Sequence, residues 1–221
     1  MVWLVGLLAL ARFIPPIAPS LGPAEVAARY ANNTAGIRAG MVCVLAGGAL
    51  YGAWTAVITV QLKRIEGRSS VMAYVQLALG AAFISIFVIP SVFWQAAAFR
   101  PEDNIEITQR LNDLAWLCFL IPVPVITVQG LAITLAIFGD RSERPVFPRW
   151  LGWFNLWAQL IFLPGTLIPF FKDGVLAWNG LLAFWIPVAV FTVWMITLSL
   201  MLFRAIKDEE QQYELASVPQ S

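Results

Sequence analysis

Histidine is absent from the sequence, and cysteine occurs only at Cys43 and Cys118. Without imidazole there is no bis-His haem, no di-iron His/carboxylate site and none of the usual zinc sites. Ser-His-Asp and Cys-His catalysis are excluded for the same reason. The cysteines lie far apart, each inside an apolar run, and no CxxC pair is present; they read as small buried hydrophobes. No metal and no cofactor is expected. Charge is scarce too: 12% of the 221 residues are charged, where a soluble domain carries about a quarter. A net charge of +1 offers no basic face for nucleic acid. Neither a P-loop, nor GxSxG, nor a paired DxxD motif occurs.

What remains is oil. Sixty per cent of the residues are hydrophobic, and the mean hydropathy is +0.77. Apolar segments run over about 2–21, 39–61, 71–99, 111–138, 150–171 and 176–203. Roughly 20 helical residues at ~1.5 Å each cross a ~30 Å hydrocarbon core, and no segment alternates as a barrel strand would. The expected fold is all-α: a polytopic integral membrane bundle of six transmembrane helices with kinked spans, filling residues 1–206. A cytoplasmic tail, 207–221, would continue the last helix through "RAIKDEEQQYEL" and end disordered in "ASVPQS". The first segment has Arg12 within it and no basic leader, so it reads as a retained helix rather than a signal peptide. Its abrupt opening, "MVWLV", leaves a misassigned start codon as an alternative.

Lys63, Arg64, Arg68, Arg141, Arg144, Arg149, Arg204 and Lys207 fall in one set of connections. Arg29, Arg38, Arg100, Arg110 and Lys172 fall in the other. The larger set marks the cytoplasmic side of a cell inner (cytoplasmic) membrane, with both termini inside. Trp3, Trp94, Trp116, Trp150, Trp153 and Trp178 suit interfacial belts, whereas Trp54, Trp157, Trp185 and Trp194 lie deeper.

Polar residues inside the spans are few. Asp113 is the only acid in an apolar segment. Near the start of its span, Asn112 or Asp113 would cap the helix and complement its dipole; alternatively Asp113 faces inward. Trp94, Gln95, Asp113 and Trp116 lie at similar depth and would form a polar-aromatic mouth. From the other side Gln76, Gln129, Asn155 and Gln159 converge, the last two on one helix face. Amides in lipid need partners, and these would also floor an apolar cavity and orient a hydroxyl or carbonyl of its guest. Pro122 and Pro124 bend the fourth segment, as broken helices do around transporter sites. Gly48 and Gly52 form a close-packing face.

The leading expectation is a non-enzymatic protein that binds, carries or handles a small neutral hydrophobic ligand between its helices, lined by Trp157 and the residues above. The alternative is a metal-independent isomerase or cyclase of a terpenoid or lipid-like substrate, with Asp113 as acid and tryptophans steadying a cation. A third is an accessory subunit of a larger membrane complex or a homo-oligomer. Expected partners are membrane lipid and the ligand.

Overall fold

Hydrocarbon offers a peptide group no hydrogen-bond partner, so so apolar a chain must satisfy its backbone internally. The computed structural model describes residues 2–217, and these form helices with no strand among the described residues. Five helical stretches are long and apolar enough to cross a membrane: Thr34–Glu66, Val71–Phe99, Ile105–Gly139, Arg149–Phe170 and Leu181–Leu215. The elements are α1 (Val2–Val5, continuing as a π turn over Gly6–Leu10), α2 (Pro23–Ala31), α3 (Thr34–Glu66), α4 (Val71–Phe83) and α5 (Ser85–Phe99). They are followed by α6 (Ile105–Leu120), α7 (Val123–Gly139) and α8 (Arg149–Phe162, continuing as a 3-10 helix over Leu163–Phe170). A second π turn, Leu181–Trp185, leads into α9 (Ile186–Ser217).

The first expected span differs. Helix ends at Leu10, Arg12 adopts φ 55°, and Pro15 and Pro16 bring no N–H with which to resume it. Arg12 is therefore exposed in a connection and lies in no span. The short helix runs antiparallel to α3, its glycines letting the two backbones touch. A Cβ on Gly6 would strike the Gly40 carbonyl, and one on Gly47 would come within 2.7 Å of Trp3 Cβ. Trp3 thus lies beside the middle of α3. On another side of α3, Gly48 and Gly52 close on Phe87 and Ile84, the packing role their spacing predicts.

The spans alternate in direction. One end of the bundle, the α2 end, holds α2 and the turns near residues 100 and 175; the opposite, tail end holds the turns near residues 68 and 144. Each end is tied by side chains serving exposed helix termini. Arg38 donates to the Ala98 and Phe99 carbonyls at the end of α5. Glu66 accepts the Met72 and Ala73 N–H groups at the start of α4, at 3.0 and 2.8 Å. Arg64 and Gln61 of α3 both reach Glu209, at 3.2 and 3.1 Å, holding the extension of α9. That extension continues helical through Ser217, so Ala216 and Ser217 are not disordered as expected; the last residues of "ASVPQS", 218–221, lie outside the described residues.

Four of the five long stretches change helical geometry within the bundle. The second turns at Ile84, where the backbone N–H bonds Ala81. The third breaks at Ile121–Pro122, the fourth changes to 3-10 at Leu163, and the fifth leaves its π turn at Ile186. Pro122, Pro124, Pro164 and Pro187 stand at three of these sites and remove donors there. Only α3 runs through unbroken among these five.

Candidate functional site

These changes of geometry meet. Around them lies a cavity of about 90 Å³, and its lining is drawn from both sides of every one: Phe83 and Ile86, Leu120 and Val123, Phe162 and Gly165, Ala183 and Val188. Phe119, Pro122, Ile126, Pro187 and Phe191 complete the wall, whose side chains are all apolar. Pro122 therefore does border a cavity. A wider cleft of about 540 Å³ opens at the tail end beside Arg64, Glu143, Arg144, Arg204 and Asp208. Charges of both signs suit water there, not an apolar guest.

One helical turn toward the tail end is a polar layer. Gln129 follows Ile126 by three residues, Gln159 precedes Phe162 by three, and Trp194 follows Phe191 by three. All four predicted amides are buried, Gln129 and Gln159 in this layer and Gln76 and Asn155 one turn further toward the tail end. Asn155 is the best connected. Its Nδ2 donates to the Gly130 carbonyl and, at 2.6 Å, to Thr134 Oγ1, while its Oδ1 accepts Trp194 Nε1 at 2.6 Å. Gln159 Nε2 donates to the Asn155 carbonyl at 3.3 Å. Tyr51 donates to Gln129 Oε1 at 2.8 Å, and Thr59 to Gln76 Oε1 at 2.7 Å. Gln76 Nε2, Gln129 Nε2 and Gln159 Oε1 have no hydrogen-bond partner. None of the four lines the cavity, so the expected amide floor is instead a separate seam stitching α3, α4, α7, α8 and α9.

Toward the α2 end the predicted mouth is a closed aromatic cluster. Trp94 and Trp116 are 0% exposed, and their rings meet edge-to-face with centroids 5.1 Å apart. Phe119 touches both and also lines the cavity. Like Trp3, these tryptophans belong to the core and not to an interfacial belt, whereas Trp150 and Trp153 are exposed. Gln95 and Asp113 are half-buried nearby. The capping role expected of Asn112 or Asp113 belongs to Asn104, whose Oδ1 accepts the Ile107 N–H at 3.1 Å. Helix α6 begins at Ile105, well before the apolar run, because a cap rather than hydropathy sets a helix start. Asp113 does not line the cavity. Trp157 is 52% exposed and faces away from the other site residues. Asn155 and Gln159 share the inward face, which puts the residue midway between them on the outer one.

Asn112 Oδ1 accepts the Tyr30 hydroxyl at 3.0 Å, and its Nδ2 donates to Asp113 at 3.3 Å. Burial pushes the Tyr30 hydroxyl well above its ordinary value near 10, and the Asp113 charge adds to this. In the unfolded chain Tyr30 ionises near pH 10; in the folded chain it does so later. Its contribution to stability is complete below pH 10 and falls above it, by about 1.4 kcal/mol per pH unit until the folded value is reached. Tyr30→Phe is expected to flatten this alkaline decline, measured as unfolding free energy against pH for both proteins.

Set against protein-family models, curated proteins and solved structures, the chain matches none.

The site must therefore be read from its own geometry. Sequence reasoning missed the phenylalanines Phe83, Phe119, Phe162 and Phe191 as cavity walls. The available signal was the recurrence of Pro122, Pro164-Gly165 and Pro187 at comparable depth in three successive segments.

Proposed function

We propose that this is an integral protein of a cell inner (cytoplasmic) membrane, and that it binds a small neutral hydrophobic molecule in the cavity between these helices. One observation carries the reading: in all four of these spans the helix changes geometry at the same cavity, and in one, at Ile121–Pro122, it breaks. Regular helices pack without gaps at native density, and discontinuous membrane helices are tolerated where protein or a cavity receives them. The apolar wall suits a neutral guest, and buried acids and bases are missing from it. Eight of the 14 basic residues lie at the tail end, which would place α9's extension in the cytoplasm. Arg12 now joins the α2 end, so the bias is eight to six.

Purified protein is expected to carry a hydrophobic compound at near-equal molar ratio, identified by mass spectrometry of an organic extract. Ala183→Phe, which fills the cavity, should lose it. A guest present at 100 times its Kd should raise the unfolding free energy of the parent by about 2.7 kcal/mol and leave the variant unmoved. A parent protein that extracts clean and gains no stability from any added hydrophobic compound would refute the reading.

A further inference from the structure

The guest's chemistry can be taken further, on the reading just given. We propose that what occupies the cavity is the hydrocarbon end of a membrane lipid chain, alkyl or prenyl, whose polar head stays outside. The cavity is small. An engineered cavity of about 150 Å³ holds benzene, so about 90 Å³ accommodates roughly four carbons by the same measure. That is the tip of a chain, too small for a ring system or a whole lipid.

Polarity points the same way. No lining side chain bears a hydrogen-bonding group. The nearest amides, Gln129 and Gln159, lie a turn away and outside the lining; Gln129 Nε2 and Gln159 Oε1 are without partners, while Asn155, a turn further on, is committed to Gly130, Thr134 and Trp194. A hydroxyl or carbonyl carried into this space would meet no side-chain partner in the lining, which disfavours it. Leu120 presents a main-chain carbonyl beside Gly165, and Pro124, four residues on, has no N–H to give it. That acceptor makes a hydroxylated chain end the competitor to test.

The cavity is also reachable from the side. Pro187, Val188 and Phe191, on the α9 side of the cavity, are only partly buried. Within its most apolar window the α9 stretch is 17% buried, against 39–44% for the other four. It is the least enclosed span, and a chain can lie beside it with its tip in the cavity and its head at the membrane surface.

The test uses the full chain in phosphatidylcholine nanodiscs with two photoactivatable fatty acids, one carrying a diazirine at the terminal carbon and one beside the carboxylate. The terminal probe is expected to label the buried Phe119 and Phe162 at least tenfold more than the head-proximal probe. Ala183→Phe should abolish that labelling, and Val188→Trp serves as the second cavity-filling variant if the first does not fold. A saturated fatty acid should compete at least tenfold better than its ω-hydroxylated counterpart. Equal labelling by both probes, or equal or better competition by the ω-hydroxy acid, overturns the chain-end proposal while leaving a cavity that binds something else. Labelling by neither probe, together with a clean organic extract, overturns the binding reading itself.

Discussion

Replacing Asn155 with leucine is expected to lower the unfolding free energy of the bundle by about 3 kcal/mol. The side chain is wholly buried and joins three helices: it donates to Gly130 and Thr134 of α7 and accepts Trp194 of α9. Individual hydrogen bonds between membrane helices contribute little, about 0.6 kcal/mol on average. The larger figure arises because leucine strands the Trp194 N–H and the Thr134 hydroxyl where neither water nor lipid can serve them, at about 1–3 kcal/mol for each such group. Adding Trp194→Phe removes one stranded donor, so the double variant should lose at least 1 kcal/mol less than the two single losses summed. Denaturant titration in bicelles, read by tryptophan fluorescence, measures all of these. A neutral Asn155→Leu would mean that the seam does not hold α9 in place.

The second large effect is expected from one methyl group. A Cβ on Gly130 would fall on the carboxamide of Gln159, which packs directly over that glycine. Alanine is the better helix former by up to about 1 kcal/mol, yet parting α7 from α8 costs about 1–3 kcal/mol in a tightly packed core. The overlap is with the carboxamide carbon as well as its nitrogen, so packing outweighs propensity. A net loss of about 2 kcal/mol is expected for Gly130→Ala. Gln159→Ala in the same chain should return at least half of it, since it vacates the space. If Gly130→Ala is stabilising, the close approach of α7 to α8 is wrong.

The five long apolar stretches were legible because lipid admits few backbone solutions, and hydropathy over ~20 residues reports them. The first segment misled because its apolar sum hid what its order shows: Arg12, Pro15 and Pro16 lie beyond a helix that ends at Leu10. Burial of the four amides was also legible, since an exposed amide in hydrocarbon is costly. Their partners were not, because the rotation of each helix about its axis decides whether Tyr51 or Trp194 meets them. The outward face of Trp157 was there to be read, two positions from Asn155 and from Gln159 on a helix of 3.6 residues per turn. Trp94 and Trp116 were harder: near a span end, an indole in a belt and an indole in a core look alike in sequence. The start of α6 was misplaced because the polar stretch before the apolar run is helical too, from Ile105 onward, with Asn104 as its cap.

The unbroken α3 has a mechanical consequence. A stiff mast stands among four jointed rods whose elbows share one height, so strain imposed by a thinner or thicker bilayer gathers at that height. Compression shortens the rods by flexing the elbows, while the mast can only lean. The space between the elbows is then the part of the molecule whose dimensions follow the membrane around it.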